Sequence, residues 1–383
     1  MGRSQPFDAG EELSELVRSD NMEPVGLMSA RRDKPDPATY LGSGKIEEIA
    51  GLAKASGADV IVFDAALSAA QERNIAQASE LAVMDRTELI LQIFQRRAKS
   101  REGRLQVELA RLEHLATRLV RGWTHLERQR GGLGKTGGPG EKQIELDRRM
   151  IGKRVKMLRE QLKKLQRQRN TQRKAREAGE AVTVSLVGYT NAGKSTLFNA
   201  LTRSEIYAAD QLFATLDTTA RKCWVRDGRT VVLSDTVGFI RGLPTQLVEA
   251  FKSTLDETVH ADILLHVVDS SSAARDEQIA SVNAVLAQIH ADDIPVIMVL
   301  NKIDASGLPQ QTLRHPDGRV KSVSVSAVTG EGLDALRAAL DEAAGEIVEQ
   351  KARAPRDLEP WELEAERQSV SDEQALRDLE AMI

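Results

Sequence analysis

The stretch GYTNAGKS, at residues 188–195, constrains the fold of this chain more than any other feature of its sequence. It follows the pattern of a glycine, four residues and then Gly-Lys-Ser, which is typical of loops that wrap phosphate groups. An apolar run, VTVSLV, precedes it, and a helix-forming segment, STLFNALTRSE, follows it. The sequence therefore predicts a strand, a phosphate-binding loop and a helix whose positive N-terminal end faces the phosphates. The residues expected at the phosphates are Gly188, Tyr189, Thr190, Asn191, Ala192, Gly193, Lys194, Ser195 and Thr196.

Two of these side chains and a second motif predict the chemistry at the bound phosphates. Lys194 would reach the β- and γ-phosphates, and the Ser195 hydroxyl would ligate Mg²⁺. Further along the chain, the motif SDTVGF ends an apolar run and supplies Asp235 and Gly238. Asp235 would hold the Mg²⁺ through a water molecule, and the Gly238 amide would contact the γ-phosphate. We expect Lys194 and Gly238 to act in catalysis.

Two later motifs, NKID at 301–304 and SAVTG at 326–330, predict which base is bound. Asp304 would accept hydrogen bonds from the N1–H and 2-amino groups of guanine, a donor pair that adenine lacks. Asn301 and Lys302 would brace this loop and cover the base. Ser326 and Ala327 would close the pocket, with the Ala327 amide near guanine O6. Four motifs in this order predict an enzyme that binds GTP and GDP and hydrolyses GTP with the help of Mg²⁺.

The sensor of the γ-phosphate is expected between the first helix and the second strand of this fold, where the sequence reads LFATLDTTARK. Thr215 is the predicted Mg²⁺-binding and catalytic threonine, with Thr218 and Thr219 as alternatives. Phe239 stands where many GTPases have a glutamine that orients the attacking water. Phenylalanine cannot do this, so we expect slow intrinsic hydrolysis. Asn191 stands where some GTPases use an asparagine to hold K⁺, which makes K⁺ a further cofactor hypothesis.

A second glycine-rich stretch, RGGLGKTGGPG at 130–140, resembles a phosphate loop but does not qualify as one. The residue five positions before Gly134 is Gln129, and no apolar strand leads into the stretch. Its surroundings are strongly basic, because residues 96–176 carry 25 basic and 8 acidic residues in a chain of net charge −4. A segment with a balance of +17 is a candidate contact for a polyanion, nucleic acid in particular.

The sequence predicts an α/β protein with four parts. Residues 1–95 predict a small α/β domain, and residues 96–180 a long antiparallel helical hairpin with the glycine-rich stretch at its tip. Residues 181–345 predict a Ras-like P-loop GTPase domain with a mostly parallel six-stranded sheet, and residues 346–383 an acidic C-terminal tail. The apolar stripes expected to cover each other in the hairpin are Leu105, Leu109, Leu112, Leu115 and Leu119 on one helix and Ile151, Val155, Leu158, Leu162 and Leu165 on the other.

Composition restricts the class of protein further. A single cysteine, Cys223, excludes a disulfide framework, and an aromatic content of 3% argues against binding single strands by base stacking. The polar, acidic N-terminus does not have the pattern of a secretory signal, and the longest apolar runs are too short to span a bilayer. We therefore expect a cytoplasmic protein with no membrane partner, and a monomer.

Several of these stretches together resemble one known family. GGLGKTGGPGEKQIELDRR, EGRLQVELARL and FATLDTTAR are similar to signatures of the HflX family of GTPases, and the resemblance covers about residues 40–345. It implies binding to the large ribosomal subunit in the GTP state and a role in splitting or rescuing ribosomes under stress. It also implies that the hairpin tip approaches ribosomal RNA, with Arg128, Arg130, Lys135 and Lys142 at RNA phosphates.

The GTPase motifs leave a second class of function open. A signalling GTPase could use the basic hairpin to dock a protein or membrane partner. Salt separates the two classes, because binding to RNA phosphates weakens steeply as salt rises, whereas a mostly apolar protein contact does not. An RNA-modifying GTPase would need a cofactor or methyl-donor site, and the sequence shows no motif for one.

Overall fold

The structure is a computed structural model that describes residues 9–30, 33–121, 139–177, 181–204, 212–226, 229–242, 247 and 252–353. The chain divides into two compact units, Met1–Ala343 and Ala344–Ile383. Both sheets lie in the first unit. In the second unit, the described residues 344–353 are helical. No helix among the described residues is both long and apolar enough to cross a bilayer.

The N-terminal part contains the predicted small parallel sheet. Strands β1 and β2 pair in parallel, with Val60 opposite Ala82 and Phe63 opposite Asp85, and helix α3 connects them. Ser68 starts this helix with a capping box, in which its hydroxyl accepts from the Gln71 amide. The elements are α1 (Ala9–Ser19), α2 (Ser43–Ala55), β1 (Val60–Phe63), α3 (Ala69–Ser79), β2 (Ala82–Asp85) and α4 (Arg86–Arg97).

Two long helices follow, α5 (Arg101–Arg121) and α6 (Pro139–Glu177), and they pack against each other. Glu102, in the first turn of α5, pairs with Arg169 near the end of α6, as an antiparallel hairpin requires. The predicted stripes are unevenly buried, since Leu158 is fully buried whereas Leu115 is 46% exposed. The glycine-rich tip up to residue 138, and Leu119 as a side chain, lie outside the described residues.

The third part has the predicted P-loop fold, but its sheet has seven strands among the described residues instead of the predicted six. The strand order is β4-β5-β3-β6-β7-β9-β8, and only the edge strands β4 and β8 run antiparallel to their neighbours. Strand β8 was not predicted because it is only three residues long and none of the three is buried, so it has no pattern of buried apolar residues. The strands are β3 (Thr183–Gly188), β4 (Thr219–Trp224), β5 (Thr230–Asp235), β6 (Ile263–Asp269), β7 (Val296–Asn301), β8 (Thr312–Arg314) and β9 (Val320–Ser324).

The parallel core of this sheet brings the functional motifs to one edge. Strands β3, β5 and β7 end at Gly188, Asp235 and Asn301, and the carboxyl ends of parallel strands meet at the same edge. Buried strands such as β6 hold this edge rigid. The accompanying helices are α7 (Lys194–Thr202), α8 (Lys252–Val259), α9 (Arg275–Gln288), α10 (Ile303–Ser306) and α11 (Leu333–Arg353).

The uneven burial of the hairpin predicts where truncation destabilises the protein. Leu158→Ala is expected to lower the free energy of unfolding by about 2–5 kcal/mol, because it leaves a cavity in a packed interior. Leu115→Ala makes the same chemical change at a half-exposed position and is expected to cost less than about 1 kcal/mol. Urea unfolding followed by circular dichroism measures both values. Equal losses in the two variants would contradict the packing described for α6.

Candidate nucleotide-binding site

The loop that joins β3 to α7 depends on glycine at its two ends. Gly188 has φ +152°, and a Cβ there would lie 2.2 Å from the Val267 carbonyl oxygen. Gly193 has φ +89°, and a Cβ there would lie 2.3 Å from Nδ2 of Asn301. A side chain at either position is therefore sterically excluded. The two glycines let the loop lie directly against the neighbouring strands β6 and β7.

The Lys194 side chain lies inside this loop. Its ammonium group donates to the carbonyl oxygens of Gly188 at 3.0 Å and Tyr189 at 2.7 Å. Burial lowers the pKa of Lys194 to about 8, and the nearby Asp235 carboxylate opposes this shift. A buried ammonium that has lost its hydration is stabilised by an anion, so the site is suited to binding phosphate.

Three oxygen-bearing side chains meet beside the lysine. The Ser195 hydroxyl donates to Oδ2 of Asp235 at 2.7 Å, and the Thr215 hydroxyl donates to the same oxygen at 3.0 Å. Ser195 and Thr215 are themselves 2.7 Å apart. Of the three candidate threonines, Thr215 is therefore the one that the structure brings to these groups, while Thr219 begins strand β4.

This cluster has the chemistry of a magnesium site. Burial raises the pKa of Asp235, and hydrogen bonds from Ser195 and Thr215 oppose that rise. The other carboxylate oxygen, Oδ1, is buried and has no hydrogen-bond partner among the described residues. Hydroxyl and carboxylate oxygens are the ligands that Mg²⁺ prefers. A hard cation, bound directly or through water, would satisfy the orphaned oxygen.

The segment after β5 lies against the phosphate loop. The Phe239 amide donates to the Gly188 carbonyl at 3.1 Å, and the Thr190 amide donates to the Phe239 carbonyl at 2.7 Å. A Cβ on Gly238 would lie 2.8 Å from Cγ2 of Thr190 and 3.0 Å from Nζ of Lys194, so only glycine fits. The Phe239 ring is fully buried in the hydrophobic core. Its side chain anchors this segment and takes no part in the polar site.

The NKID motif connects the phosphate loop with the last turn of the pocket through Asn301. Its Nδ2 group donates to the Ala192 carbonyl at 2.9 Å, and its Oδ1 accepts from the Ala327 amide at 3.0 Å. The amide predicted to lie near guanine O6 is thus held by Asn301. Ser326 is fully buried, and its hydroxyl oxygen accepts from the Thr329 amide at 3.1 Å.

The two charged residues of this motif have different surroundings. Lys302 has a left-handed backbone, with φ 64°, and its ammonium lies 2.7 Å from the Asp269 carboxylate. Burial acts to raise the pKa of Asp269, but the ion pair with Lys302 and the hydrogen bonds from Ser271 together outweigh it, so this pKa is lowered. Asp304 is exposed in helix α10, where its carboxylate is accessible to a ligand.

Contacts with the N-terminal half of the chain were not predicted from the sequence. The Asp217 carboxylate, two residues after Thr215, accepts from the backbone amides of Lys99 and Ser100, both at 2.8 Å. Ser100 is the first residue before α5, and its hydroxyl accepts from the Gly103 amide at 2.8 Å. The separation of 117 residues between Ser100 and Asp217 leaves no local signal for this contact.

Aromatic packing supports the same contact. The rings of Phe94, on α4, and Phe213 meet edge to face with their centroids 4.7 Å apart. The Leu212 amide donates to the hydroxyl of Ser19, at the end of α1, at 3.1 Å. The segment 212–217 therefore lies between the nucleotide-site residues and the first hairpin helix.

The predicted RNA contacts lie almost entirely beyond the described part of the chain. Arg128, Arg130 and Lys135 fall within 122–138, and Lys142 belongs to helix α6 with a side chain that lies outside the described residues. The described part of the hairpin carries many basic side chains on α6, several of them exposed, such as Lys153 and Lys156.

Asn301 offers a test of the pocket. We expect Asn301→Ala to weaken binding of GDP by about 30-fold or more, because two buried backbone groups lose their partner at roughly 1–3 kcal/mol each. Asn283→Ala, at an exposed position on α9, is the matched control and should bind like the wild type. Titration of a fluorescent GDP derivative measures both affinities. A wild-type affinity in Asn301→Ala would contradict the bridging role.

Comparison with known proteins finds relatives for the first three of the four predicted parts. Family models described as GTP-binding GTPase N-terminal, GTP-binding GTPase Middle Region and 50S ribosome-binding GTPase match residues 8–95, 97–176 and 183–302. GTPase HflX of Escherichia coli strain K12 is 50% identical over 347 residues, which cover 90% of this chain and 81% of that protein. GTPase HflX of Magnetococcus marinus is 48% identical over 338 residues, which cover 88% and 77%. The chain therefore belongs to the HflX family of GTPases, and it binds guanine nucleotides and hydrolyses GTP.

Proposed function

We propose that this GTPase binds the large ribosomal subunit in its GTP state and helps to split or rescue ribosomes under stress. The observation that carries the proposal is the basic hairpin, with a balance of +17 over residues 96–176. This hairpin is a long, positively charged arm, which suits the phosphate backbone of folded RNA. The description of the matching family model as a 50S ribosome-binding GTPase supports the same partner. A ribosomal partner implies that the protein acts in the cytoplasm. One arm and one GTPase domain are enough for this function, so we propose that the protein acts as a monomer.

Each group of the nucleotide site has a proposed role in hydrolysis. Ser195 and Thr215 would ligate Mg²⁺, and Asp235 would hold it through water, which fits the orphaned oxygen of Asp235. When bound, the ion would neutralise charge that develops on the phosphate oxygens. The Lys194 ammonium and the Gly238 amide would bind the γ-phosphate from the protein side.

The base and loop residues complete the proposed pocket. Residues 188–196 would surround the phosphates with backbone amides, and Asp304 would select guanine. Asn301, Lys302, Ser326 and Ala327 would hold the base loop in place. Because the Phe239 ring is buried in the core, the water-orienting group must come from the backbone, another loop or the ribosome. Slow hydrolysis by the isolated protein is expected.

K⁺ is the proposed second cation, at Asn191. An asparagine in this part of the loop can supply a carbonyl oxygen to a monovalent ion beside the phosphates, where the positive charge would stabilise the transition state. We expect GTP hydrolysis to be faster in KCl than in NaCl at equal ionic strength, and Asn191→Ala to abolish the difference. Equal rates of the wild-type protein in the two salts would remove the hypothesis.

Asp217 connects the nucleotide site with the start of the arm. It accepts hydrogen bonds from the amides of Lys99 and Ser100, just before α5, and it lies two residues after Thr215 at the proposed Mg²⁺ site. Gly103 lies directly under this carboxylate, since a Cβ there would be 2.3 Å from Oδ1. In GTPases, the γ-phosphate and Mg²⁺ order the switch segments in the GTP state. The segment that contains Thr215 would be ordered in the same way. The position of the arm would then depend on the bound nucleotide.

Sedimentation with purified ribosomal subunits tests this function. The wild-type protein is incubated with large or small subunits and with GDP, a non-hydrolysable GTP analogue or no nucleotide. We expect binding to the large subunit that requires the analogue and weakens steeply as salt rises. The arm variant, Arg128→Glu with Lys135→Glu, should bind about tenfold or more weakly, because RNA phosphate contacts become repulsive.

A matched control separates the arm from net charge. Arg226→Glu with Lys321→Glu reverses the same number of charges at exposed positions of the GTPase domain and should bind like the wild type. Equal losses in both variants would contradict a specific role of the arm. Absence of binding in every nucleotide state would favour the signalling alternative, in which the arm docks a protein or membrane partner.

A further inference from the structure

The Tyr189 side chain connects the phosphate loop to the N-terminal half of the chain. Its backbone belongs to the loop, but its ring is buried, and its hydroxyl donates to the carboxylate of Glu12 on α1. The same hydroxyl accepts from the backbone amide of Arg241 at 2.9 Å. Burial and the neighbouring Glu12 raise the pKa of Tyr189, so the hydroxyl keeps its proton as a donor. The hydroxyl thus contacts Glu12 in the N-terminal half and Arg241 in the GTPase domain.

Arg241 is held through both of its backbone groups. Tyr189 binds its amide, and the guanidinium of Arg86 donates to its carbonyl oxygen at 2.9 Å. Arg86 is buried and also donates to Glu12 and to Asp64. The two backbone contacts therefore belong to one network of buried charged groups, which has its base in α1 and α4 of the N-terminal half.

The segment held in this way is the one that carries Gly238. Phe239 is bound through both backbone groups to the phosphate loop, and Arg241, two residues later, is bound to Tyr189 and Arg86. Gly238 lies between β5 and these two residues. It is close to Lys194, since a Cβ on Gly238 would lie 3.0 Å from Nζ of the lysine. A shift of Arg241 would move the Gly238 amide relative to the lysine.

We propose that Tyr189 and Glu12 are positioning residues for GTP hydrolysis, which fix the Gly238 amide relative to Lys194 through the backbone of Arg241. The role concerns turnover by the isolated GTPase and does not depend on a ribosomal partner. A displaced amide loses transition-state contact with the γ-phosphate while the phosphate loop itself still binds nucleotide. The expected signature is therefore a loss of kcat without a matching loss of nucleotide affinity.

Tyr189→Phe tests the role by removing one oxygen atom and leaving the ring in the core. We expect single-turnover GTP hydrolysis to slow about fivefold, the factor that corresponds to one ordinary hydrogen bond, with the Kd for GDP within about twofold of wild type. Glu12→Gln, which keeps an acceptor for the hydroxyl but loses the charge beside Arg86, should slow hydrolysis in the same direction. Tyr40→Phe, in the N-terminal domain, is the matched control and should hydrolyse GTP at the wild-type rate.

Three measurements on each variant separate positioning from stability. Thermal unfolding measures the loss of stability, and GDP titration measures the affinity of the phosphate loop for nucleotide. Phosphate release measures the rate of GTP hydrolysis. A wild-type rate in Tyr189→Phe would overturn the proposal, whatever the change in melting temperature. An equal loss of GDP affinity and rate would also overturn it, because the hydroxyl would then support the phosphate loop alone. Should Tyr189→Phe fail to fold, Glu12→Gln decides by the same criteria.

Discussion

One carboxylate, that of Asp217, joins the two halves of this GTPase. It accepts from the amides of Lys99 and Ser100 at the start of the first hairpin helix, and it follows Thr215 by two residues. The amides at a helix N-terminus have no partners within the helix, so an acceptor there stabilises the start of the helix. A segment that contacts a helix start on one side and the side chains of Ser195 and Asp235 on the other can move only if one contact breaks.

The N-terminal half supports the nucleotide site at a second place. Arg86, Glu12 and Tyr189 form a buried polar network around the backbone of Arg241, whereas Asp217 contacts the segment that contains Thr215. The ion pairs of Arg86 hold these groups together, because an unpaired buried charge is costly. The two contacts have different proposed consequences. The network of Arg86, Glu12 and Tyr189 is proposed to fix the geometry of hydrolysis. The Asp217 contact is proposed to relate the bound nucleotide to the arm.

How much of this could be predicted from the sequence depends on the range of each interaction. The phosphate loop, the Asp235 strand end and the Asn301 loop are local patterns on buried strands, so their place at one sheet edge follows from a parallel topology. Thr215 could be named but not separated from Thr218 and Thr219, because only the fold brings its hydroxyl to Ser195. Strand β8 has no apolar face, and the Asp217 contact spans 117 residues, so neither left a readable pattern.

Hydrogen exchange at the start of α5 shows whether Asp217 relates the bound nucleotide to the arm. The peptide that contains Lys99, Ser100 and Gly103 is followed by mass spectrometry with GDP and with a non-hydrolysable GTP analogue. With Thr215 held at the γ-phosphate, we expect exchange that is slower by about threefold or more in the analogue state. Asp217→Ala should abolish that difference. Equal exchange of the wild-type peptide in both nucleotide states would contradict this role of Asp217.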